Sequence, residues 1–288
     1  MKHQNTIAIS GWPRAHTPEL RQGNDPSGTQ LRFDFDRLPA TKSDAVPLVN
    51  NSPASRFALR FAALLEADPS ACFDNAAISG LAREIFGAAA GRARDAYDAA
   101  EAGFNIYLNR VGVDFTHTPA AIARLLAEQA RLPLQIRRDQ NQIEFQQFST
   151  PPAEALVVVK AAAIRSGMTV LEPSAGTGNI AALARLAGAE VDTNEIDPRR
   201  RELLMLLGFD PTAFDAERLD NLLPPEKSYH AVVMNPPFSA TGGRVNGHRT
   251  AFGARHIEQA LLRLKPGGRL VAVEGVQKRW RGELVAAV

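Results

Sequence analysis

Residues 231–238 read Ala-Val-Val-Met-Asn-Pro-Pro-Phe, an apolar run that ends in two consecutive prolines. The run from Ala231 to Met234 is typical of a strand in a parallel sheet, which is covered on both faces and needs no alternation of polar and apolar residues. Neither proline can donate a backbone hydrogen bond, so the ladder must stop there. The sequence therefore predicts a buried strand with Asn235 at its carboxyl end, where open α/β sheets bind their ligands.

The tetrapeptide Asn235-Pro236-Pro237-Phe238 carries groups that suit an aromatic amine. Such an amine is a weak nucleophile because its lone pair is delocalised into the ring. The Asn235 side-chain carbonyl and the Pro236 backbone carbonyl can accept its N–H groups and stabilise positive charge that develops on the nitrogen. Phe238 offers a flat face on which a base can stack. A plain strand-to-turn junction is the alternative, since Asn-Pro commonly opens a turn.

Strand and helix patterns alternate on both sides of this strand, which predicts a parallel sheet with helices on both faces. The fold class is therefore expected to be α/β, with a Rossmann-like doubly wound sheet. The predicted strands are Met168–Leu171, Ala189–Asn194, Thr212–Phe214, His230–Met234 and Arg269–Val273. The predicted helices are Asn179–Leu186, Pro198–Leu207 and Arg255–Leu264, the last ended by Lys265-Pro266-Gly267-Gly268.

The chain before this region has a different character. Residues 1–52 are rich in Pro, Gly, Ser, Asn and Asp and are expected to form a loosely ordered arm. Residues 53–144 show helical periodicity and are interpreted as a helical subdomain, which leaves 145–288 as the α/β domain. The acids at 95, 98 and 101 and the arginines at 199–201 are expected to lie on solvated helix faces.

Composition limits the classes of function. The 288 residues carry a formal net charge of only +2, so nucleic-acid binding would need local basic patches. The lone Cys72 excludes an intrachain disulfide framework and a cysteine-cluster zinc site, and it fits a reducing cytoplasmic compartment. No run approaches the roughly 18 apolar residues of a membrane span. Nothing in the sequence indicates an oligomeric state.

Two glycines follow the first predicted strand, in Glu172-Pro173-Ser174-Ala175-Gly176-Thr177-Gly178-Asn179. They allow a tight turn and a close approach of backbone to a ligand at a helix N-terminus. A triphosphate-binding loop would need Lys and then Ser or Thr after the second glycine, so that reading is rejected. A dinucleotide fingerprint stays open, because Ala181 replaces its third glycine as some such loops allow.

The second predicted strand ends near an acid that suits a ribose. Glu195 lies 19 positions after Gly176, where a doubly wound fold places the carboxylate that accepts from ribose hydroxyls. Ile196 next to it can lie against an adenine face, and Asp197 is expected to cap the following helix. Upstream, Thr150-Pro151 has the pattern of an N-cap followed by a first helical residue.

Taken together, these segments resemble the S-adenosylmethionine-dependent amino-methyltransferases, and most closely the N6-adenine DNA methyltransferases, over roughly 145–275. The resemblance implies that an F-x-T-P segment touches the methionine end of the donor, that a glycine turn and a ribose acid hold the rest, and that the N-P-P-F tetrapeptide is catalytic. The implied cofactor-binding residues are Phe148, Thr150, Glu172, Ser174, Gly176, Gly178, Glu195, Ile196 and Asp215, with Asp220 as a rival of Asp215.

The implied activity is transfer of a methyl group from S-adenosyl-L-methionine to the N6 amine of adenine in DNA. An adenine inside a duplex would have to be flipped out, at a cost of a few kcal/mol that stacking on Phe238 can partly offset. No metal is expected, because the sulfonium donor is already activated. DNA is the expected partner, and no membrane is involved.

The chain departs from this family in one respect. Complete members carry two further strands and usually a target-recognition domain, for which little sequence remains after the fifth predicted strand, so the sheet is expected to be incomplete at the C-terminus. The segment also resembles the methyltransferase-like part of large strawberry-notch-type proteins. The alternatives are therefore a non-catalytic module that binds S-adenosylmethionine or nucleic acid, or methylation of an RNA base or a protein glutamine; the glutamine enzymes mostly have Tyr at the fourth position.

Overall fold

The computed structural model describes residues 5–10, 52–87, 93–133, 149–236, 244–245, 248–249 and 252–274. The helices are α1 Pro53–Ala67, α2 Asn75–Phe86, α3 Ala93–Val111, α4 Thr118–Ala130, α5 Pro152–Ala161, α6 Asn179–Leu186, α7 Pro198–Leu206, α8 Leu219–Leu222 and α9 Phe252–Leu261. The strands are β1 Asn5–Ser10, β2 Thr169–Glu172, β3 Glu190–Thr193, β4 Tyr229–Met234, β5 Arg244–Val245, β6 His248–Arg249 and β7 Leu264–Glu274. A 3-10 helix spans Ala216–Arg218.

The main sheet has the strand order β1-β7-β4-β2-β3, and every pair in it is parallel. Strand β2 lies between β4 and β3, with Leu171 level with Val232 and Glu172 level with Thr193. The short strands β5 and β6 form a separate antiparallel hairpin. The carboxyl ends of β2, β3 and β4 therefore meet at one edge of the main sheet.

Both faces of the sheet are covered, because successive residues of a strand point to opposite sides. On one face Val170 and Val233 join the core that contains α1, α3, α5, α6 and α7. On the other face Leu171 and Val232 pack in a second cluster with residues of α8 and α9. This arrangement confirms the predicted α/β doubly wound class.

The first four helices share the larger of these two cores. Phe57 and Phe61 of α1 and Phe104 and Leu108 of α3 are buried in the same cluster as Ile180 of α6. The helical part thus packs against the helices that cover this face of the sheet. The predicted boundary between 144 and 145 lies outside the described residues and stays a prediction.

Around the candidate site, one helix has the bounds predicted from the sequence and one predicted helix end is wrong. Helix α6 has the predicted bounds, and Asp197 caps α7 as expected by accepting from the Arg199 amide at 2.9 Å. Lys265-Pro266-Gly267-Gly268 does not end a helix: α9 ends at Leu261, and the four residues lie within β7, where its pairing with β4 shifts register.

Two further predictions about strands need correction. The third predicted strand, Thr212–Phe214, is reduced to one isolated bridge between Thr212 and Asn194. The arm predicted for 1–52 includes a strand, because β1 pairs in parallel with β7 and forms one edge of the main sheet. Among the described residues no helix has the length and apolar character needed to cross a bilayer.

Candidate functional site

The candidate site lies at the carboxyl edge of the sheet, where three strands deliver the predicted residues. Strand β2 leads into the glycine turn, β3 leads to Glu195, and β4 ends one residue before Asn235. The turn is attached to the β3 side by the Ala175 amide, which donates to the Asn194 carbonyl at 2.9 Å. The edge of adjacent parallel strands is the usual place for a ligand in such a sheet.

The turn depends on glycine at two positions for different reasons. Gly176 has φ +57° and Gly178 has φ +88°, both in the left-handed region that L side chains avoid. A Cβ on Gly178 would also lie 2.9 Å from Leu204 Cδ2, so this glycine permits close packing of the turn on α7. A Cβ on Gly176 would meet only Arg200 Nη1, at 3.6 Å. Gly176 therefore sets conformation, and Gly178 sets conformation and packing.

Asn235 is joined to the segment predicted to touch the donor. Its Nδ2 donates to Thr150 Oγ1 at 3.0 Å, and Thr150 is buried. The prediction that Thr150 is an N-cap is wrong, because α5 begins at Pro152 with Pro151 in the cap position and no side-chain cap. The bond to Thr150 fixes the Asn235 amide, with its nitrogen towards Thr150 and its oxygen on the opposite side of the amide.

Glu195 lies at the base of the turn with both carboxylate oxygens in use. Oε2 accepts from the Gly176 amide at 2.7 Å, and Oε1 accepts from the Asp197 amide at 2.8 Å. Burial raises the pKa of Glu195, while these amides and the charge of Arg200 oppose that rise. Each carboxylate oxygen retains a further lone pair. Next to it, Ile196 is 53% exposed, which leaves an apolar face open beside the acid.

Glu172 at the end of β2 is a buried carboxyl, with only 2% of its surface exposed. Burial raises its pKa well above the ordinary value, and a hydrogen bond from the Ala181 amide opposes this only in part. Its Oε2 has no hydrogen-bond partner among the described residues. The position therefore favours the protonated form of the side chain.

The other predicted site residues are either placed by the structure or lie outside the described ranges. Asp215 is exposed and caps the 3-10 helix by accepting from the Glu217 amide at 3.0 Å. Its rival Asp220 is paired with Arg263 Nε at 2.7 Å, so Asp215 is the carboxylate more open to a ligand. Ser174 is partly exposed and Pro236 is buried. Phe148, Pro237 and Phe238 lie outside the described residues.

Sequence reasoning missed the contribution of α3. Four polar residues of this helix, Arg94, Asp98, Glu101 and Asn105, form a stripe at helical spacing that faces the turn and α7; we call it the α3 stripe. Three of them, Arg94, Asp98 and Asn105, are buried. Asp98 is therefore not part of the solvated face that the sequence predicted, and Glu101 is only partly exposed.

The centre of the α3 stripe is ionic. Asp98 binds Arg200 of α7 through both of its oxygens, with Nε and Nη2 each 3.1 Å away. Arg94 lies 3.7 Å from Asp98 and 3.1 Å from Asp197. Arg200 is only 3% exposed, so for this residue the expectation of a solvated helix face at 199–201 is wrong, whereas the Arg199 side chain is 46% exposed. Burial opposes the charged form of Arg200, but the surrounding carboxylates raise its pKa overall.

The lower part of the α3 stripe reaches the turn itself. Asn105 Nδ2 donates to the Thr177 carbonyl at 3.2 Å and to Asn179 Oδ1 at 2.7 Å. Asn179 Nδ2 in turn donates to the Thr150 carbonyl at 2.8 Å. Thr150, whose hydroxyl accepts from Asn235, thus connects the helix to the end of β4. Within the described ranges no cluster of His, Cys, Asp and Glu has the makings of a metal site.

Comparison with known proteins gives partial likenesses only. No protein-family model matches the chain, and no curated protein matches it. A solved structure from Pyrococcus horikoshii, described as a candidate RNA methyltransferase, is 22% identical, covers 49% of this chain and 68% of its own, and has a TM-score of 0.38. TrmN from Thermus thermophilus is 19% identical, with 62% of this chain and 56% of its own covered and a TM-score of 0.35.

A third solved structure is the 16S rRNA N2 G1207 methyltransferase RsmC of T. thermophilus, in complex with AdoMet and guanosine. It is 26% identical, covers 43% of this chain and has a TM-score of 0.33. This chain spans about a third of RsmC, at 34%, and about half of TrmN, at 56%.

Proposed function

We propose that the chain is an S-adenosyl-L-methionine-dependent methyltransferase whose acceptor is the N6 amine of adenine in DNA. The observation that carries the proposal is the hydrogen bond between Asn235 and Thr150 at the edge where the glycine turn begins. The bond joins Thr150 of the F-x-T-P segment to Asn235 of the N-P-P-F segment, 85 residues away in the chain. Residues of two segments far apart in the chain thus meet beside the segment that carries Glu195 and Ile196, which is suited to a nucleoside.

The described residues fit such a donor. Glu195 offers carboxylate lone pairs for ribose hydroxyls, and the exposed Ile196 offers an apolar face for adenine. Asp215, exposed at the cap of the 3-10 helix, can accept from an adenine amino group. Gly176 and Gly178 let the backbone approach the ligand without a side chain in between. When bound, the donor supplies a methyl group already activated by the positive charge on sulfur.

The role of Asn235 follows from its fixed amide. With the nitrogen held by Thr150, the Asn235 oxygen is oriented to accept from the acceptor amine, and the Pro236 carbonyl can accept from the same group. Two acceptors stabilise positive charge as it develops on the amine nitrogen. Their orientation is set before the reaction, so little reorganisation is needed. Loss of the proton to solvent completes the transfer without a general base in the site.

Asn235→Ala is the variant that tests this proposal. Labelled methyl donor is supplied with DNA, RNA or protein acceptors, and incorporated label is measured for the wild type and the variant. We expect label in DNA, with a loss of at least about 100-fold in Asn235→Ala, the size seen when a preorganised polar group is removed from an active site. Asn221→Ala, at an exposed residue of α8, is the matched control and should retain activity.

Three other results would change the conclusion. Label in RNA or protein that depends on Asn235 would keep the methyltransferase and replace the acceptor. Intact donor binding with no label in any acceptor would favour the non-catalytic module. DNA label that survives Asn235→Ala would remove the assigned role of this residue.

A further inference from the structure

One carboxylate on α3 connects two segments of the candidate site. Glu101 Oε2 accepts from Thr177 Oγ1 at 2.7 Å and from Ser149 Oγ at 2.5 Å. Thr177 lies between the two glycines of the turn, and Ser149 immediately precedes Thr150. Because both hydroxyls donate to the same oxygen, their separation is fixed by Glu101. The helix therefore sets the distance between the turn and the segment that binds Asn235.

The neighbouring residue on the same face supports this arrangement. Asn105 lies one helical turn after Glu101, about 6 Å along the axis. It donates to the Thr177 carbonyl and to Asn179, which donates to the Thr150 carbonyl. The turn and the Ser149–Thr150 segment are thus linked twice, once through each α3 residue. Two parallel links resist rotation as well as separation.

Ionisation of Glu101 matters to the strength of these bonds. Burial raises the pKa of Glu101, and so does the nearby Asp98; the two hydroxyl donors and Arg200 oppose this rise without cancelling it. Hydrogen bonds to an ionised acceptor are roughly twice as strong as those between neutral groups. The two hydroxyls therefore stabilise the carboxylate form of Glu101 against the effect of burial, and they bind that form more strongly than the neutral one.

Glu101 is separated from Glu195 and Ile196, the residues suited to a nucleoside, and this separation indicates which part of a bound donor Glu101 affects. Glu195 and Ile196 follow β3, so a nucleoside bound to them lies on the β3 side of the turn. Ser149 precedes Thr150, which binds Asn235 at the end of β4, and β4 lies on the opposite side of β2 from β3. A donor whose ribose is at Glu195 must then extend its amino-acid end across the turn towards Ser149.

We propose that Glu101 is a positioning residue that builds the subsite for the amino-acid end of the methyl donor. It does so by fixing Thr177 against Ser149. The inference rests on the proposed function, since it assigns part of the same donor site. Glu101 need not touch the donor for this role, because the residues that it holds form the wall of the subsite.

Two ligands that differ only at the relevant end test the inference. S-adenosylhomocysteine carries the amino-acid end, whereas 5′-methylthioadenosine lacks it, and calorimetry measures the dissociation constant of each. We expect Glu101→Ala to weaken S-adenosylhomocysteine about tenfold, as for the loss of hydrogen bonds to a charged group. Binding of 5′-methylthioadenosine should stay within about twofold, which also shows that the variant is folded. Glu101→Gln retains an oxygen acceptor and should lie between the wild type and Glu101→Ala.

Glu66→Ala is the matched control. Glu66 pairs with Arg110 at the far end of α3, at 2.8 Å, and both side chains are substantially exposed. The control therefore removes a carboxylate that contacts the same helix, about 13 Å along its axis from Glu101. Both ligands should bind this variant as they bind the wild type.

The possible failures are separable. If wild-type protein binds neither ligand, the proposed function itself fails. If the wild type binds both and Glu101→Ala binds S-adenosylhomocysteine normally, only the positioning role is overturned. An equal loss for both ligands, or a Glu101→Gln variant as weak as Glu101→Ala, would likewise overturn it, because neither result is specific to an accepting oxygen that builds the amino-acid subsite.

Discussion

The glycine turn and the α3 stripe support the same edge of the sheet by different physical means. The turn from Glu172 to Gly178 is shaped by its backbone, with two glycines at positive φ and one of them pressed against α7. The α3 stripe is shaped by side chains. Its charged residues bind α7, and its amide Asn105 binds Asn179 at the start of α6, next to the turn. One region depends on the absence of side chains, and the other depends on the presence of matched ones.

This difference predicts how each region fails. Adding an atom to the turn creates a steric conflict, whose size depends on how far the neighbours can move. Removing an atom from the α3 stripe leaves a buried charge without its partner, and neighbouring side chains cannot readily supply a replacement. The stripe should therefore be the more sensitive of the two to a single substitution.

The largest effect is expected for Asp98→Ala. This change leaves Arg200 and Arg94 buried without the carboxylate between them, which costs about 3–5 kcal/mol in the free energy of unfolding. Urea denaturation of the variant and the wild type measures the difference.

Asp95→Ala is the matched control on the same helix. Asp95 pairs with Arg199 at 2.9 Å, but the arginine side chain is 46% exposed. An exposed pair of this kind contributes less than about 1 kcal/mol. Similar losses for Asp95→Ala and Asp98→Ala would remove the distinction between a buried stripe and a surface ion pair.

Substitutions of the two glycines should produce the next effect. Gly178→Ala places a Cβ 2.9 Å from Leu204 and forces an L residue into positive φ, which together cost about 2–3 kcal/mol in unfolding free energy. Gly176→Ala meets no close contact and should cost only the conformational part, about 1–2 kcal/mol. Urea denaturation of both variants gives the comparison. A larger loss at Gly176 would contradict the packing role assigned to Gly178.

The turn could be predicted from sequence because its requirements are local. Gly176 and Gly178 signal positive φ by their identity, and Glu195 lies at the spacing that a doubly wound sheet imposes. The parallel sheet was predictable for a similar reason, since buried strands such as β4 are continuous apolar runs. Each of these signals is contained within a short stretch of chain.

The α3 stripe could not be predicted in this way, because its meaning depends on partners elsewhere. Its four residues have regular helical spacing, which by itself is the usual pattern of a helix face in water. What makes them a buried stripe is Arg200, 102 residues away from Asp98, and Asn179, 74 residues away from Asn105. The only sequence signal was that these partners are themselves polar residues next to predicted buried elements.

Strand β1 was missed for a related reason. Its partner is β7, near the other end of the chain, where Ile7 is level with Val271. The segment is six residues long and lies in a stretch whose composition is that of a disordered arm. Composition averaged over 1–52 concealed a short β-branched sequence that pairs only with a strand distant in the chain.

An effect that changes with pH, rather than a constant loss, should come from Glu172, the turn's own buried carboxyl. Unlike Asp98, it has no salt bridge to a described residue, and burial raises its pKa well above the unfolded value. Stability from Glu172 is therefore fully present below the unfolded pKa of about 4.5 and is lost as pH rises towards the folded pKa. Glu172→Gln does not titrate, so its unfolding free energy relative to the wild type should increase by up to about 1.4 kcal/mol per pH unit above pH 4.5.

Urea denaturation of both proteins from pH 4 to pH 7 measures this slope. The contributions of the other carboxylates cancel because both proteins share them. A difference that is constant over that range would mean that Glu172 ionises in the folded protein as readily as in the unfolded chain, and that the turn, like the α3 stripe, compensates its buried charge.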